Sequence, residues 1–371
     1  MNEAPRSSAS AFPDTAPGFT ERDEHDYLKS SRGDPPAASV MSVSVVIPCY
    51  NEERFIGKVL SNLSTQYEHE RYEIVVVDGM SSDKTRELVA EFAASGSGVR
   101  VRLVDNPARN IPVALNTGIR EARGDIIVRM DAHSIPSNNY VRRCVELLNN
   151  LNIAVVGMPW IIKPGDDTST ARAIALAVSH PFGIGDAKYR LTGQSSQYVD
   201  TVPFGAFKKS LWQELDGFNE DLLANEDYDF YYRVRRRDGR IMLDTAEYCT
   251  YFARATLREL AIQYFRYGSW KAQMVKLHPR SIRWRQLVAP AFVSSLVLLP
   301  MLGLWWTPAL LALLVLVGLY IALALYFAFK LSQRGRMLGL ILPISLVFLI
   351  IHAAWGSSFL LGLLRAPRRY T

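Results

Sequence analysis

The sequence predicts an α/β domain on a mostly parallel sheet, followed by amphipathic interfacial helices and then by membrane helices. Three observations carry this. Apolar runs of strand length alternate with amphipathic helical stretches from Ser42 onward. A basic, aromatic stretch covers residues 254–285. Three long apolar runs follow it. The expected organisation is therefore a disordered tail at 1–40, the α/β domain at 41–253, interfacial helices at 254–286 and a membrane region at 287–371.

Residues 1–40 are rich in Pro, Ser, Ala and charge and have no apolar run, so they read as disordered and without a signal peptide's apolar core. "SVSVVIPCY" reads as a first strand and "ERFIGKVLSNLSTQ" as a helix with Phe55, Val59 and Leu63 near one face. "EIVVVDG" is a second strand, before "SDKTRELVAEFAA", whose serine can cap a helix. "VRLVDN", "NIPVALNTGIREA" and "DIIVRMDA" continue the alternation. Such order gives a sheet covered on both faces, with ligands at the carboxyl ends of its strands.

Polar residues gather at those ends. Tyr50, Asn51 and Glu52 follow the first strand, Asp78 closes the second, and Asp131 with His133 follows the strand beginning near Asp125. Each alone is as readily a cap or turn residue. Together they point to a nucleotide site with a metal. On an extended segment Asp131 and His133 would project the same way, a carboxylate and an imidazole able to hold a divalent ion. No GxGxxG or GxxxxGK[ST] is present, which excludes the usual dinucleotide and P-loop readings. Three dispersed cysteines, Cys49, Cys144 and Cys249, argue against a disulfide framework and a structural zinc site.

The three apolar runs cover about 287–306, 308–329 and 337–364. Arg280, Arg283 and Arg285 precede the first and Lys330, Arg334 and Arg336 follow the second, while the first link, "WWTP", is uncharged. The positive-inside rule then sets the α/β domain on the cytoplasmic side of the inner membrane. A third complete crossing would export Arg365, Arg368 and Arg369. So either the rule fails there or that segment, interrupted by "HAAWGSS", is re-entrant or interfacial. Between domain and membrane, Arg258, Arg266, Lys271, Lys276 and the three arginines face one acid, Glu259, and Leu257, Leu260, Tyr264, Tyr267 and Trp270 form an apolar side. That is an interfacial signature. The charge of +6 gathers there, which disfavours a nucleic-acid partner.

"VSVVIPCYNEERFIGKVLSNLSTQ", "EIVVVDGMSSDKT", "NIPVALNTGIREARGDIIVRMDAHSIP" and "GFNEDLLANEDYDFYYRVRRRDG" together resemble the family 2 glycosyltransferases of the GT-A fold, and most of all those of succinoglycan-type exopolysaccharide assembly. The resemblance implies an inverting, metal-dependent transfer of one sugar from a nucleotide sugar, a UDP-sugar by preference, to a polyprenyl-diphosphate-linked saccharide. It assigns the donor to Pro48, Tyr50, Asn51, Glu52, Asp78, Asn110, Asn116 and Asp131. "DAH" stands in the family's DxD place, so Asp131 and His133 would hold Mn²⁺ or Mg²⁺, the imidazole favouring Mn²⁺. Asp227 of "NED" matches the catalytic base, an ordinary aspartate by its sequence, with Glu226 beside it. Arg233 and Arg236 on the following helix would meet the diphosphate, although a basic helical face is as readily solvated. The resemblance places "FGIGDAKYRLTG" near the acceptor, with Tyr189 and Arg190 at an acceptor phosphate. The QxxRW motif of polymerising members is absent, which disfavours a processive synthase. Two alternatives stay open: a polyprenyl-phosphate sugar synthase, and a non-catalytic, membrane-tethered nucleotide-sugar-binding subunit.

Overall fold

The computed structural model describes residues 42–150 and 152–365; the N-terminal tail expected at 1–40 lies outside them. Eleven strands are described: β1 (Val43–Cys49), β2 (Tyr72–Asp78), β3 (Arg100–Asp105), β4 (Ile126–Arg129), β5 (Ser134–Pro136), β6 (Val155–Gly157), β7 (Trp160–Lys163), β8 (Gln197–Tyr198), β9 (Ala206–Lys208), β10 (Ile241–Leu243) and β11 (Cys249–Phe252). The helices are α1 (Ile56–Leu63), α2 (Thr85–Ala94), α3 (Ile111–Glu121), α4 (Tyr140–Asn150), α5 (Ser169–Ala177), α6 (Pro181–Ile184), α7 (Lys209–Glu214), α8 (Glu226–Arg235), α9 (Leu257–Leu277), α10 (Val288–Gly303), α11 (Pro308–Arg334) and α12 (Ile341–Leu364).

The main sheet runs β3-β2-β1-β4-β9-β6-β10-β8. Its first four strands are parallel, and β9 inserts antiparallel between β4 and β6. β1 and β2 are almost wholly buried, which is why they read as unbroken β-branched runs rather than as alternations. One face is covered by Ile56, Val59, Leu60 and Leu63 of α1 and Cys144 and Leu147 of α4. Leu115 and Ile119 of α3 and Phe230 of α8 cover the other. Gly118 lets α3 sit directly on the sheet, because a Cβ there would lie 2.5 Å from Val46 Cγ1 and 2.7 Å from Val77 Cγ2. A smaller sheet, β5-β11-β7, leads from β11 into α9.

Thr256 and Glu259 form a capping box that starts α9. At α2 the expected serine cap is replaced: Asp83 Oδ1 accepts from Thr85 N at 3.0 Å, and Ser82 N instead donates to Asn51 Oδ1 at 2.9 Å.

Among the described residues three helical stretches are long and apolar enough to cross a membrane: Trp284–Gly303, Pro308–Gln333 and Leu338–Leu364. α10 and α11 form a hairpin with Leu304, Trp305 and Trp306 exposed at its tip. The third segment is not broken at "HAAWGSS"; α12 is one 24-residue helix. Its small residues are contact points: Gly356 packs against Ala289, Gly362 against Ala272, and Gly268 of α9 against Trp355 and Ser358. Ile344, Val347, Phe348 and Ile351 share a core with Ala173, Ile174 and Ala177 of α5. Contacts with domain-side elements therefore run from Ile344 to the helix end, where Lys276 Nζ donates to the carbonyls of Gly362 (2.9 Å) and Arg365.

Candidate active site

The exits of β1 and β2 are laced together by short side chains. Asn51 takes a left-handed φ of 55°, its N–H donates to Ser81 Oγ, and Glu52 N donates to Thr85 Oγ1 at 2.7 Å. Asp78 is wholly buried and accepts from Ser81 N (2.9 Å), Ser81 Oγ (2.5 Å) and Arg86 Nη1 (2.7 Å). Its carboxylate thus organises the loop that faces Tyr50, which is 51% exposed. Pro48 lies within β1, opposite Val77.

Asp131 and His133 sit in the turn between β4 and β5, closed by Ser134 N donating to Asp131 O at 3.1 Å, and not on an extended segment. The turn still brings both side chains to one cavity. His133 Nδ1 lies 2.9 Å from Glu52 Oε1, an oxygen that only accepts, so in the neutral ring Nε2 keeps its lone pair. A carboxylate-oriented imidazole beside a second carboxylate suits a divalent ion. Among the described residues no three His, Cys, Asp or Glu side chains converge on one point. An ion here would take its remaining ligands from a bound phosphate. Burial opposes charge on the His133 ring, but Glu52 and Asp131 more than offset it and raise its pKa. The surroundings are anionic enough to draw a cation, whose binding requires the neutral ring.

The N-terminus of α8 brings Glu226 and Asp227 to the same cavity, entered through Asn225 at φ 64°. Glu226 is 4% exposed, with Arg129 Nη1 3.1 Å from its Oε1. Arg129 also approaches Asp131, at 3.7 Å. Burial pushes both carboxyl pKa values up; Arg129 pulls them back only in part, and Asp131 adds to the rise. Asp227 is therefore not the ordinary aspartate its sequence implies but a stronger base. As a base it must be deprotonated, so kcat/KM should rise with pH through a limb lying above the usual aspartate range. A pH profile with that limb below pH 4, the ordinary region for aspartate, would contradict this.

Asn110, Asn116 and Arg233, expected at the donor, make bonds within the protein. Asn110 caps α3, accepting from Val113 N at 3.0 Å. Asn116 is 5% exposed and fully engaged: its Nδ2 donates to Phe218 O and Glu220 Oε1, and its Oδ1 accepts from Trp212 Nε1 and Phe218 N. It ties α3 to the segment before α8. Asn116→Ala should cost about 3 kcal/mol, because four partners lose their bonds inside the protein. Thermal unfolding in detergent should show a clear drop in midpoint; an unchanged midpoint would refute the role. Arg233 is likewise committed, to Asp229 Oδ2 (2.9 Å) and to the carbonyls of Gly217 (2.7 Å) and Leu215. With Arg236 it lines a separate hollow near His278 and Arg280, because α8 carries them away from the end that holds Asp227.

The main cavity, about 1220 Å³, begins at Arg129, Asp131, His133, Glu226 and Asp227. It continues past Tyr228, Lys271 and Arg285 to Phe292, Leu319, Tyr320 and Trp355 of the apolar helices. The loop 182–193 forms part of its wall. It is packed rather than open: Arg190 lies over Trp160 (4.8 Å), and His352 Nε2 donates to Phe182 O (2.8 Å). His180 caps α6, accepting from Phe182 N. Sequence reasoning passed over Arg129, whose signal was a lone charge in the apolar run "IIVRM", and over Trp160 and Tyr251, which stack at 4.0 Å.

Residues 44–215 match the family model described as Glycosyl transferase family 2. This part of the chain is a family 2 glycosyltransferase domain, in a GT-A fold continued by C-terminal helices. The chain is 28% identical over 333 residues to the succinoglycan biosynthesis protein ExoA of Rhizobium meliloti, covering 88% of this chain and 96% of that one. It is 24% identical over 328 residues to a dolichyl N-acetyl-alpha-D-glucosaminyl phosphate 3-beta-D-2,3-diacetamido-2,3-dideoxy-beta-D-glucuronosyltransferase of Methanococcus voltae, covering 87% and 97%. Among solved structures, a mannosyltransferase from Pyrobaculum calidifontis in complex with GDP-Man and Mn²⁺ superposes with a TM-score of 0.58 at 21% identity, over 87% of this chain and 93% of that one.

Proposed function

We propose that the protein is an inverting, metal-dependent glycosyltransferase that moves one sugar from a nucleotide sugar to a polyprenyl-diphosphate-linked saccharide. The observation that carries the reading is the single cavity joining Asp227 and Asp131/His133 to a groove between apolar helices. A soluble acceptor would need no such continuation. The name of the Methanococcus relative refers to a dolichyl-linked acceptor, and that of the Rhizobium relative to succinoglycan biosynthesis.

In this reading Tyr50, Asn51 and Glu52 border the donor. Asp131 and His133 would hold Mn²⁺ or Mg²⁺, which when bound neutralises the departing diphosphate. Asp227 takes the proton from the acceptor hydroxyl as it attacks the anomeric carbon, and Arg129 keeps the buried acids in place. Asp227 acting as the sole base implies one displacement and inversion. Purified protein in detergent, offered UDP- and GDP-sugars with lipid-linked acceptors, should release nucleotide from one donor, UDP-sugars being tried first. EDTA should abolish that release. Release that persists in EDTA would remove the metal from the mechanism, and donor binding without release under any acceptor would favour a non-catalytic subunit.

The domain would face the cytoplasm at the inner membrane, with α10 and α11 crossing and α12 lying beneath the domain, one face toward lipid. Leu342, Leu346, Leu349 and Leu361 supply that lipid face, and the Lys276 contact holds Arg365 on the domain side. This would relieve the conflict with the positive-inside rule. The native cysteines are buried, so single new ones can be labelled selectively. Arg365→Cys should react only from the domain side and Thr307→Cys only from the opposite side. Labelling of Arg365→Cys from the far side would mean that α12 crosses.

A further inference from the structure

Between Asp227 and the apolar groove the cavity wall turns basic. Lys271 of α9 is 3% exposed, and its Nζ lies 4.6 Å from the Tyr228 ring centroid. It donates to Ser281 O at 3.3 Å, but among the described residues no carboxylate holds it in an ion pair. Arg235, Arg283 and Arg285 surround it closely enough to act on its charge. Asp200 lies 3.1 Å from Arg285 and 3.5 Å from Arg283, and the half-exposed Asp186 lies 3.4 Å from Arg285. Arg235 Nε is buried without a hydrogen-bond partner among the described residues. Lys271 and Arg285 thus bring positive charge to a largely enclosed wall of the cavity, and a buried cation such as Lys271 is costly unless an anion balances it. Burial, with the three arginines adding to it, lowers the Lys271 pKa to about 7, against the pull of Asp200.

Lys271 and Arg285 both line the cavity, on the path from Asp227 to Phe292, Leu319 and Tyr320. We propose that Lys271 and Arg285 form the binding site for the phosphate groups of an isoprenoid-linked acceptor, its hydrocarbon chain lying in the groove among α10, α11 and α12. This rests on the lipid-linked reading above and deepens it. The sequence of chemistries along the cavity (carboxylate base, cations, apolar wall) matches a ligand that is in turn sugar, phosphate and hydrocarbon. Charge complementarity and the continuity of one cavity choose this occupant over a free phosphate, which would leave the apolar end unused.

The probe is farnesyl diphosphate, an isoprenoid diphosphate without a sugar, titrated into full-length protein in detergent and followed by intrinsic tryptophan fluorescence. Inorganic pyrophosphate and farnesol serve as the two halves of the ligand. Farnesyl diphosphate should bind at least about tenfold more tightly than either half. Lys271→Met and Arg285→Gln should each weaken it about tenfold, while Lys271→Arg retains most of the affinity. Binding of the nucleotide donor, measured in the same samples, reports whether each variant is folded. If Lys271→Met and Arg285→Gln bind farnesyl diphosphate as wild type does, the site is refuted. If pyrophosphate alone binds as tightly, the occupant is a free phosphate and the lipid assignment is refuted. Because this titration needs no turnover, it fails independently of the glycosyl-transfer reading. That reading fails if no donor is consumed even though farnesyl diphosphate binds.

Discussion

Asp227→Asn should lower kcat by about 10³-fold while leaving the affinity for the nucleotide donor within about twofold. The substitution keeps the shape of the side chain and the turn into α8, but an amide cannot take up the acceptor's proton. The burial that raises the carboxyl's pKa makes it a better base than a solvated aspartate, so much is lost with it. Donor titration and steady-state transfer, measured on the same samples, separate the two effects. A large fall in donor affinity with kcat preserved would assign Asp227 to binding. Preserved transfer in the variant would shift the reading toward a lipid-phosphate acceptor, whose ionised oxygen attacks with little help from a base.

Asp131→Ala should reduce kcat/KM by about a hundredfold or more, and raising Mn²⁺ should recover part of the loss. Asp131 does two jobs. In the proposed reading it would hold the ion, and it lies 3.7 Å from Arg129. Glu52→Gln provides the contrast. It removes the charge that orients His133 through the 2.9 Å contact but leaves Asp131 intact, so its loss should be smaller, about tenfold, and expressed in metal affinity. Equal effects from the two substitutions, or no recovery of Asp131→Ala at any metal concentration, would contradict the assignment of Asp131 as ligand.

The parallel core was legible because β1 and β2 are buried on both faces and so write themselves as apolar runs, while α1 and α3 carry helical periodicity. The gathering of polar residues was legible from strand exits and one helix start: Asp131, His133 and Asp227 line one cavity, and Glu52 lies 2.9 Å from His133. What sequence could not supply were contacts between remote segments. The structural bonds of Asn116 were illegible because its partners, Trp212 and Phe218, lie about a hundred positions away. Arg233 looked free because the carbonyls that hold it belong to the loop before α8. The small residues of "HAAWGSS" resemble a break in a span when read alone. In the fold they admit α9 and the start of α10, so the apparent weakness is a packing surface.

The central claim, one carboxylate acting in a single displacement, is tested most directly by the configuration of the product. From an α-linked nucleotide sugar, the NMR coupling at the anomeric proton of the transferred residue should report a β-glycoside. An α-glycoside would require two displacements or a front-side attack, and would contradict Asp227 acting alone as the base.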